Sequence, residues 1–225
     1  MLNVSDALKQ RISIRKFLPT PVPQALVREL LDAARWSPSG GNLQPWSVIV
    51  LAGAELDAIR RLAHGGPVGS GQQSEEGSDP VYPPNLWEPF RTRRFQVGED
   101  MYKLLGVKRE DRAGRLAHVA NNFEFFGAPV GLFFVIDRRL GRAQWAHLGM
   151  FMQSLALVAV ERGLGSCMQE FWAMLRESLH RHFALAENDM IYCGMSLGYP
   201  DMSAPVNTLR STRVAVEDFA SFRGF

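Results

Sequence analysis

Arg11-Ile12-Ser13-Ile14-Arg15 alternates polar and apolar residues near the start of the chain. In an extended segment side chains have a period of two, so Arg11, Ser13 and Arg15 would share one face while Ile12 and Ile14 pack on the other. Two planar guanidiniums flanking a hydroxyl suit a phosphate. The same cations would also serve as a solvated patch at a helix C-terminus, where the macrodipole favours positive charge. A second polar cluster is Trp36-Ser37-Pro38-Ser39-Gly40-Gly41-Asn42-Leu43-Gln44-Pro45-Trp46. Its prolines fix φ, Gly40-Gly41 permits close backbone approach, and Asn42 and Gln44 each carry a donor and an acceptor. Such a ledge can read a flat heteroaromatic ring, and ordinary turn chemistry also accounts for such a loop. The tail carries Asn207, Arg210 and Arg213 and closes with Phe219, Phe222 and Phe225. Phenylalanines this dense need a surface to cover, and a partner subunit is one candidate.

Elements that could position these groups are legible on either side of them. Ser5-Asp6 predicts the cap of a short helix through Gln10. Pro21 and Pro23 introduce a helix over residues 23–36, whose core face is Leu26, Val27, Leu30, Leu31 and Ala34. The ledge then leads into a strand at 47–51 and a helix at 54–63. Residues 65–95 are rich in Gly, Ser and Pro and read as a long loop, with Tyr82, Trp87, Phe90 and Phe95 at its far end. Those aromatics predict a lid ordered in part over a cleft. Helices are predicted at 98–105 and 111–126, and a strand buried on both faces at 130–136. Residues 143–162 form the longest helix, apolar nearly all round, as in a helix buried inside a domain or shared between subunits. A strand at 166–169, a helix at 173–183 and a strand at 190–197 follow. Strands separated by helices predict an α+β or α/β layered domain of four or five strands with helices on both faces. The chain reads as one domain over residues 1–225, with a C-terminal arm at 205–225.

Composition removes several functional classes. A net charge of +2 over 225 residues argues against nucleic acid or a membrane surface as partner. The apolar tract 148–160 is interrupted by Gln153 and shorter than a membrane span. Cys167 and Cys193 are too few for a disulfide framework, which together with an N-terminus unlike a signal peptide predicts a cytoplasmic protein. His64, His118, His147, His180 and His182 lack metal-ligand spacing, so no metal site is expected. Gly194-Met195-Ser196-Leu197-Gly198 matches the nucleophile-elbow pattern, but Tyr199-Pro200 follows where a helix is required and no histidine lies beyond His182. Neither a dinucleotide glycine fingerprint nor a phosphate loop is present.

Taken together, these segments resemble the FMN-dependent nitroreductase family. The matching stretches are Arg11 through Phe17, Ser37 through Trp46, Asn122 through Pro129, Gly163 through Glu170, and Ser211-Thr212-Arg213. They run in the family's order over nearly the whole chain. The resemblance implies an α+β fold, a mixed sheet flanked by helices in an intertwined homodimer, with FMN in a groove between subunits. It implies that Arg11, Ser13 and Arg213 bind the phosphate and ribityl end, and that Arg15 reaches the pyrimidine end. Pro38, Ser39 and Asn42 would approach the same flavin from the other subunit. Gln44 and Asn122 would add amide contacts, with Asn121 an alternative to Asn122. Met168, Gln169 and Glu170 would line the ring near N5. Two departures stand out: Met168-Gln169-Glu170-Phe171 replaces a Pro-aliphatic-Glu-Gly run, and Ser211 replaces a lysine, for which Arg210 is a substitute.

The implied activity is an NAD(P)H oxidoreductase. NADH or NADPH would reduce the flavin, and a nitroaromatic, quinone or related acceptor would then take the electrons in a ping-pong cycle. Hydride transfer at N5 needs no protein base, so no catalytic residue is assigned, though Gln169 and Glu170 would lie nearby. The same resemblance also covers reductive dehalogenation, flavin breakdown and metabolite dehydrogenation, and a flavin-binding protein without turnover.

Overall fold

The computed structural model describes residues 2–65 and 81–225. Among them four strands form one sheet: β1 (Ser47–Ala52), β2 (Val130–Asp137), β3 (Gly165–Gln169) and β4 (Asp189–Gly198), in the order β1-β2-β4-β3. Every pairing of these strands is antiparallel. The mixed sheet implied by the resemblance is thus corrected. The parallel component found among the described residues is an isolated bridge, Ser13 to Ser166, at the free side of β3. The sequence could not set this direction, because the apolar run of β2 reports burial on both faces and says nothing of strand sense.

Helices cover both faces. On one, α2 (Gln24–Ala34) and α6 (Arg142–Glu161) pack over β2 and β4 through Leu30, Ala34, Phe151, Leu155 and Ala159. On the other, α3 (Gly53–Gly65) and α7 (Arg176–His182) close a core of aromatic rings. There Trp172 is fully buried and stacks on Phe125 at 4.7 Å. A Cβ on Gly194 would lie 2.3 Å from the Trp172 ring, so only glycine lets β4 carry that indole. This central strand residue belongs to the elbow-like run dismissed above, and Ser196 beside it is a buried strand residue.

Several boundaries differ from the reading of the sequence. The first helix, α1 (Val4–Gln10), is capped by Asn3, whose side chain accepts from the Asp6 amide at 2.9 Å, and not by Ser5-Asp6. α4 (Phe90–Leu104) begins well inside the stretch expected to be loop. Pro89 precedes it, where a missing N–H costs nothing, and the Glu88 carboxylate accepts from the Thr92 amide. Residues 66–80 of the expected lid lie outside the described residues. α5 (Arg112–Ala120) stops short of 126, because Phe125 and Phe126 take φ of 50° and 53° within a 3₁₀ segment, Asn121–Gly127. Their burial among aromatic neighbours overrides helical propensity. The helix expected at 173–183 is likewise a 3₁₀ segment, Glu170–Leu175, followed by α7.

Candidate functional site

The segment at residues 11–15 docks beside β3. The Ile14 amide donates to the Ser166 carbonyl at 3.0 Å, and a Cβ on Gly165 would lie 2.5 Å from Ile14. Ile14 is therefore driven into the core, and the period of two turns Arg11, Ser13 and Arg15 the other way. All three border a cavity of about 340 Å³. The tail supplies the facing wall with Arg210, Ser211 and Arg213. Asn207 joins the two ends of the chain. Fully buried, it accepts from the Arg15 amide through Oδ1 and donates from Nδ2 to the Lys16 and Asp201 carbonyls, each at 2.8 Å. Sequence reasoning named Asn207 only as a tail residue. Its role depends on a contact between residues far apart in the chain, which no local pattern announces.

Electrostatically this cavity is one-sided. Arg11 is pushed below the ordinary arginine value, first by burial and then by the charge of Arg213. Arg210 and Arg213 donate to carbonyls of their own loop, and Arg15 to the Ser13 carbonyl. Among the described residues no carboxylate pairs with Arg11, Arg15, Arg210 or Arg213. Cations gathered and left unpaired fit a dianionic phosphate, which would accept charge-assisted hydrogen bonds from several of them.

Arg15, Val97 and Leu209 also border a second, larger cavity of about 670 Å³, so the two spaces adjoin. Met168, Gln169, Glu170 and Asn122 all lie in its wall. The Gln169 side chain is buried and already engaged. Its Nε2 donates to the Asn122 carbonyl at 2.6 Å, and its Oε1 accepts from the Ser196 hydroxyl at 2.7 Å. Gln169 thus anchors this edge, leaving Met168 and Glu170 on either side of it partly exposed toward the cavity. The Asn122 amide is also held, donating to the Val119 carbonyl at 2.9 Å. Partial burial raises the Glu170 carboxyl above the usual carboxylate range. Burial, with Arg15 nearby, pushes His118 below the ordinary histidine value. Beneath Arg15, burial raises the Cys167 thiol.

Pro38, Ser39, Asn42 and Gln44 border neither cavity. Within one chain they sit on α6: the Ser37 and Ser154 hydroxyls meet at 2.8 Å, and the Gly40 amide donates to His147 Nδ1 at 3.4 Å. The ledge is internally braced. Ser39 Oγ accepts from the Gln44 amide at 2.9 Å, and the Gln44 side chain donates to the Asn42 carbonyl at 3.2 Å. Asn42 and Gln44 adopt left-handed φ of 53° and 48° and are exposed. Tyr102 and Phe126 border the larger cavity, whereas Phe123 is buried against Trp172. Arg94, Arg115 and His118 also reach this cavity and were missed. Arg94 is seen to be helical only once α4 starts at Phe90, and Arg115 and His118, three apart on α5, are seen to reach the cavity only once α5 is packed against it. No group of three His, Cys, Asp or Glu residues able to hold a metal occurs among the described residues.

The sequence profile of the nitroreductase family matches residues 8–199. A 4-nitrobenzoate reductase of Pseudomonas putida is 40% identical over 220 residues, spanning 96% of this chain and 93% of its own length. A nitrobenzene nitroreductase of Ectopseudomonas oleovorans is 36% identical over 222 residues, covering 97% of this chain and 96% of itself. Among solved structures, the FMN and NADPH-dependent nitroreductase NfnB of Sphigopyxis sp. strain HMH superposes with a TM-score of 0.94 at 39% identity, covering all of both chains.

Proposed function

This chain belongs to the nitroreductase family, and from that premise we propose that it is an FMN-dependent oxidoreductase passing electrons from NADPH or NADH to nitroaromatic, quinone or related acceptors in a ping-pong cycle. The observation that carries the reading is the adjoining pair of cavities. Unpaired cations from both ends of the chain mark one, a wall of Met168, Gln169 and Glu170 marks the other, and Arg15 touches both.

Bound FMN would supply the two-electron carrier, taking hydride from nicotinamide and giving it to the acceptor. Arg11, Ser13 and Arg213 hold its phosphate end, with Arg210 supplying the cation that Ser211 lacks. Arg15 sets positive charge beside the pyrimidine end, where charge accumulates on reduction. Asn122, Met168, Gln169 and Glu170 would line the edge of its ring, with Gln169 as the internal brace that holds the other three in register. No general base is required of the protein, since a nitro group reduced to nitroso takes up hydride and a solvent proton and releases water.

The protein works as a homodimer. Pro38, Ser39, Asn42 and Gln44 reach the flavin of a second copy, because they lie away from the two cavities of their own. Exposed Trp36, Leu43, Val50 and Met150, with the phenylalanines of the tail, are the apolar surface such a partner would cover. The segment at 205–225 is the arm that reaches across, and the whole chain acts as one domain. Two buried, unpaired thiols suit the reducing cytoplasm.

The test is anaerobic titration. Purified protein reconstituted with FMN should lose its flavin absorbance on addition of NADPH or NADH and regain it with a nitroarene. Flavin that stays oxidised with both nucleotides would rule the reading out.

A further inference from the structure

Besides Arg15, three arginines border the larger cavity, and two of them are neutralised. Arg115 grips Glu99 with both ends of its guanidinium, at 2.6 and 3.2 Å. Arg91 pairs with Glu88 at 2.7 Å. Arg94 differs. Its guanidinium lies over the Tyr82 ring at 4.1 Å, and no carboxylate among the described residues pairs with it. Stacking on an aromatic face holds a guanidinium in place through its π surface and leaves its in-plane N–H donors free. Arg94 occupies the same face of α4 as Phe95, Gly98 and Tyr102, all in the cavity wall. Tyr102, Phe126 and Phe171 add flat apolar surface there. The cavity therefore offers rings to sandwich an aromatic molecule and one anchored, unneutralised cation on α4. Of the carboxylates in its wall, Glu99 is committed to Arg115, and partial burial raises the carboxyl of Glu170.

We infer that Arg94 is a specificity-determining residue that selects electron acceptors bearing a carboxylate on the aromatic ring. The inference rests on the nitroreductase reading above and deepens it: the ring packs among the aromatic side chains, and its carboxylate accepts the in-plane N–H bonds of Arg94. A planar, bidentate partner is what a carboxylate matches best. A cation held against a ring pays little ordering entropy when it binds, so discrimination by charge follows from the anchored geometry.

The experiment compares kcat/KM for 4-nitrobenzoate with that for its neutral isostere 4-nitrobenzamide, in the FMN-loaded wild type, Arg94→Gln and Arg94→Lys, with kcat/KM for NADPH measured in parallel. Wild type should favour the anion. Arg94→Gln should lower the ratio of anion to amide about tenfold, and Arg94→Lys should retain part of the preference. Arg94 is exposed, so the variants are expected to fold, and flavin content reports whether they do. An unchanged ratio in flavin-loaded Arg94→Gln would overturn the inference. So would a constant ratio with a loss confined to NADPH, which would assign Arg94 to the phosphate of the co-substrate. Failure of the wild type to reduce either nitroarene would overturn the underlying nitroreductase reading as well.

Discussion

Arg11 and Arg213, from opposite ends of the chain, border one cavity of about 340 Å³, where burial first and then the charge of Arg213 push Arg11 below the ordinary arginine value. Two like charges held together cost stability in the empty protein and return it when an anion binds. Arg11→Ala should therefore weaken FMN binding by about 2 kcal/mol, roughly thirtyfold. The stabilisation conferred by FMN should shrink accordingly, while the flavin-free protein loses no stability. Fluorescence titration and thermal unfolding with and without FMN check both halves. Unaltered flavin affinity would remove Arg11 from the site.

Gln169 ties β3 to the Asn122 turn and to Ser196 on β4 through both ends of its amide. Gln169→Leu keeps the bulk but strands the half-buried Asn122 carbonyl and the buried Ser196 hydroxyl. The expected loss is about 2–3 kcal/mol of stability by urea denaturation. Flavin affinity should fall too, since Met168 and Glu170 flank the lost brace. A variant as stable as wild type would show that Gln169 is not the brace.

His118 carries a pKa below its ordinary 6.5, because burial and then Arg15 oppose its charged form. The unfolded chain therefore binds more protons than the folded one once the pH drops below about 6.5. Stability must decline as pH falls through that region toward the depressed folded value. His118→Phe should flatten this part of the profile. Denaturant midpoints between pH 7.5 and 5 provide the comparison, and parallel profiles for the two proteins would count against the assignment.

Phe219, Phe222 and Phe225 are exposed at the end of the tail, with Phe222 and Phe225 in ring contact at 6.0 Å. If they cover a second copy, deleting residues 219–225 should raise the monomer fraction in analytical ultracentrifugation. It should also weaken FMN binding, because each site then loses the ledge of the other chain. A truncated protein with unchanged mass and unchanged flavin affinity would separate the tail from the interface.

The sequence by itself determined the local half of this site. Alternation at residues 11–15 dictated which side chains share a face, since an extended backbone leaves no other arrangement once Ile14 is buried. The composition of the ledge likewise announced a rigid polar loop, the run at 130–136 announced a strand buried on both faces, and that at 190–197 a strand. Tertiary structure alone decided the rest. Strand direction was invisible because hydrophobicity reports burial and not polarity of the chain. The early start of α4 was hidden by prolines that are tolerated just before a helix. That Asn207 clamps Arg15, and that Arg11 meets Arg213, are facts of distance between residues remote in sequence. Such contacts are selected by the packed core as a whole, so no window of the chain contains them.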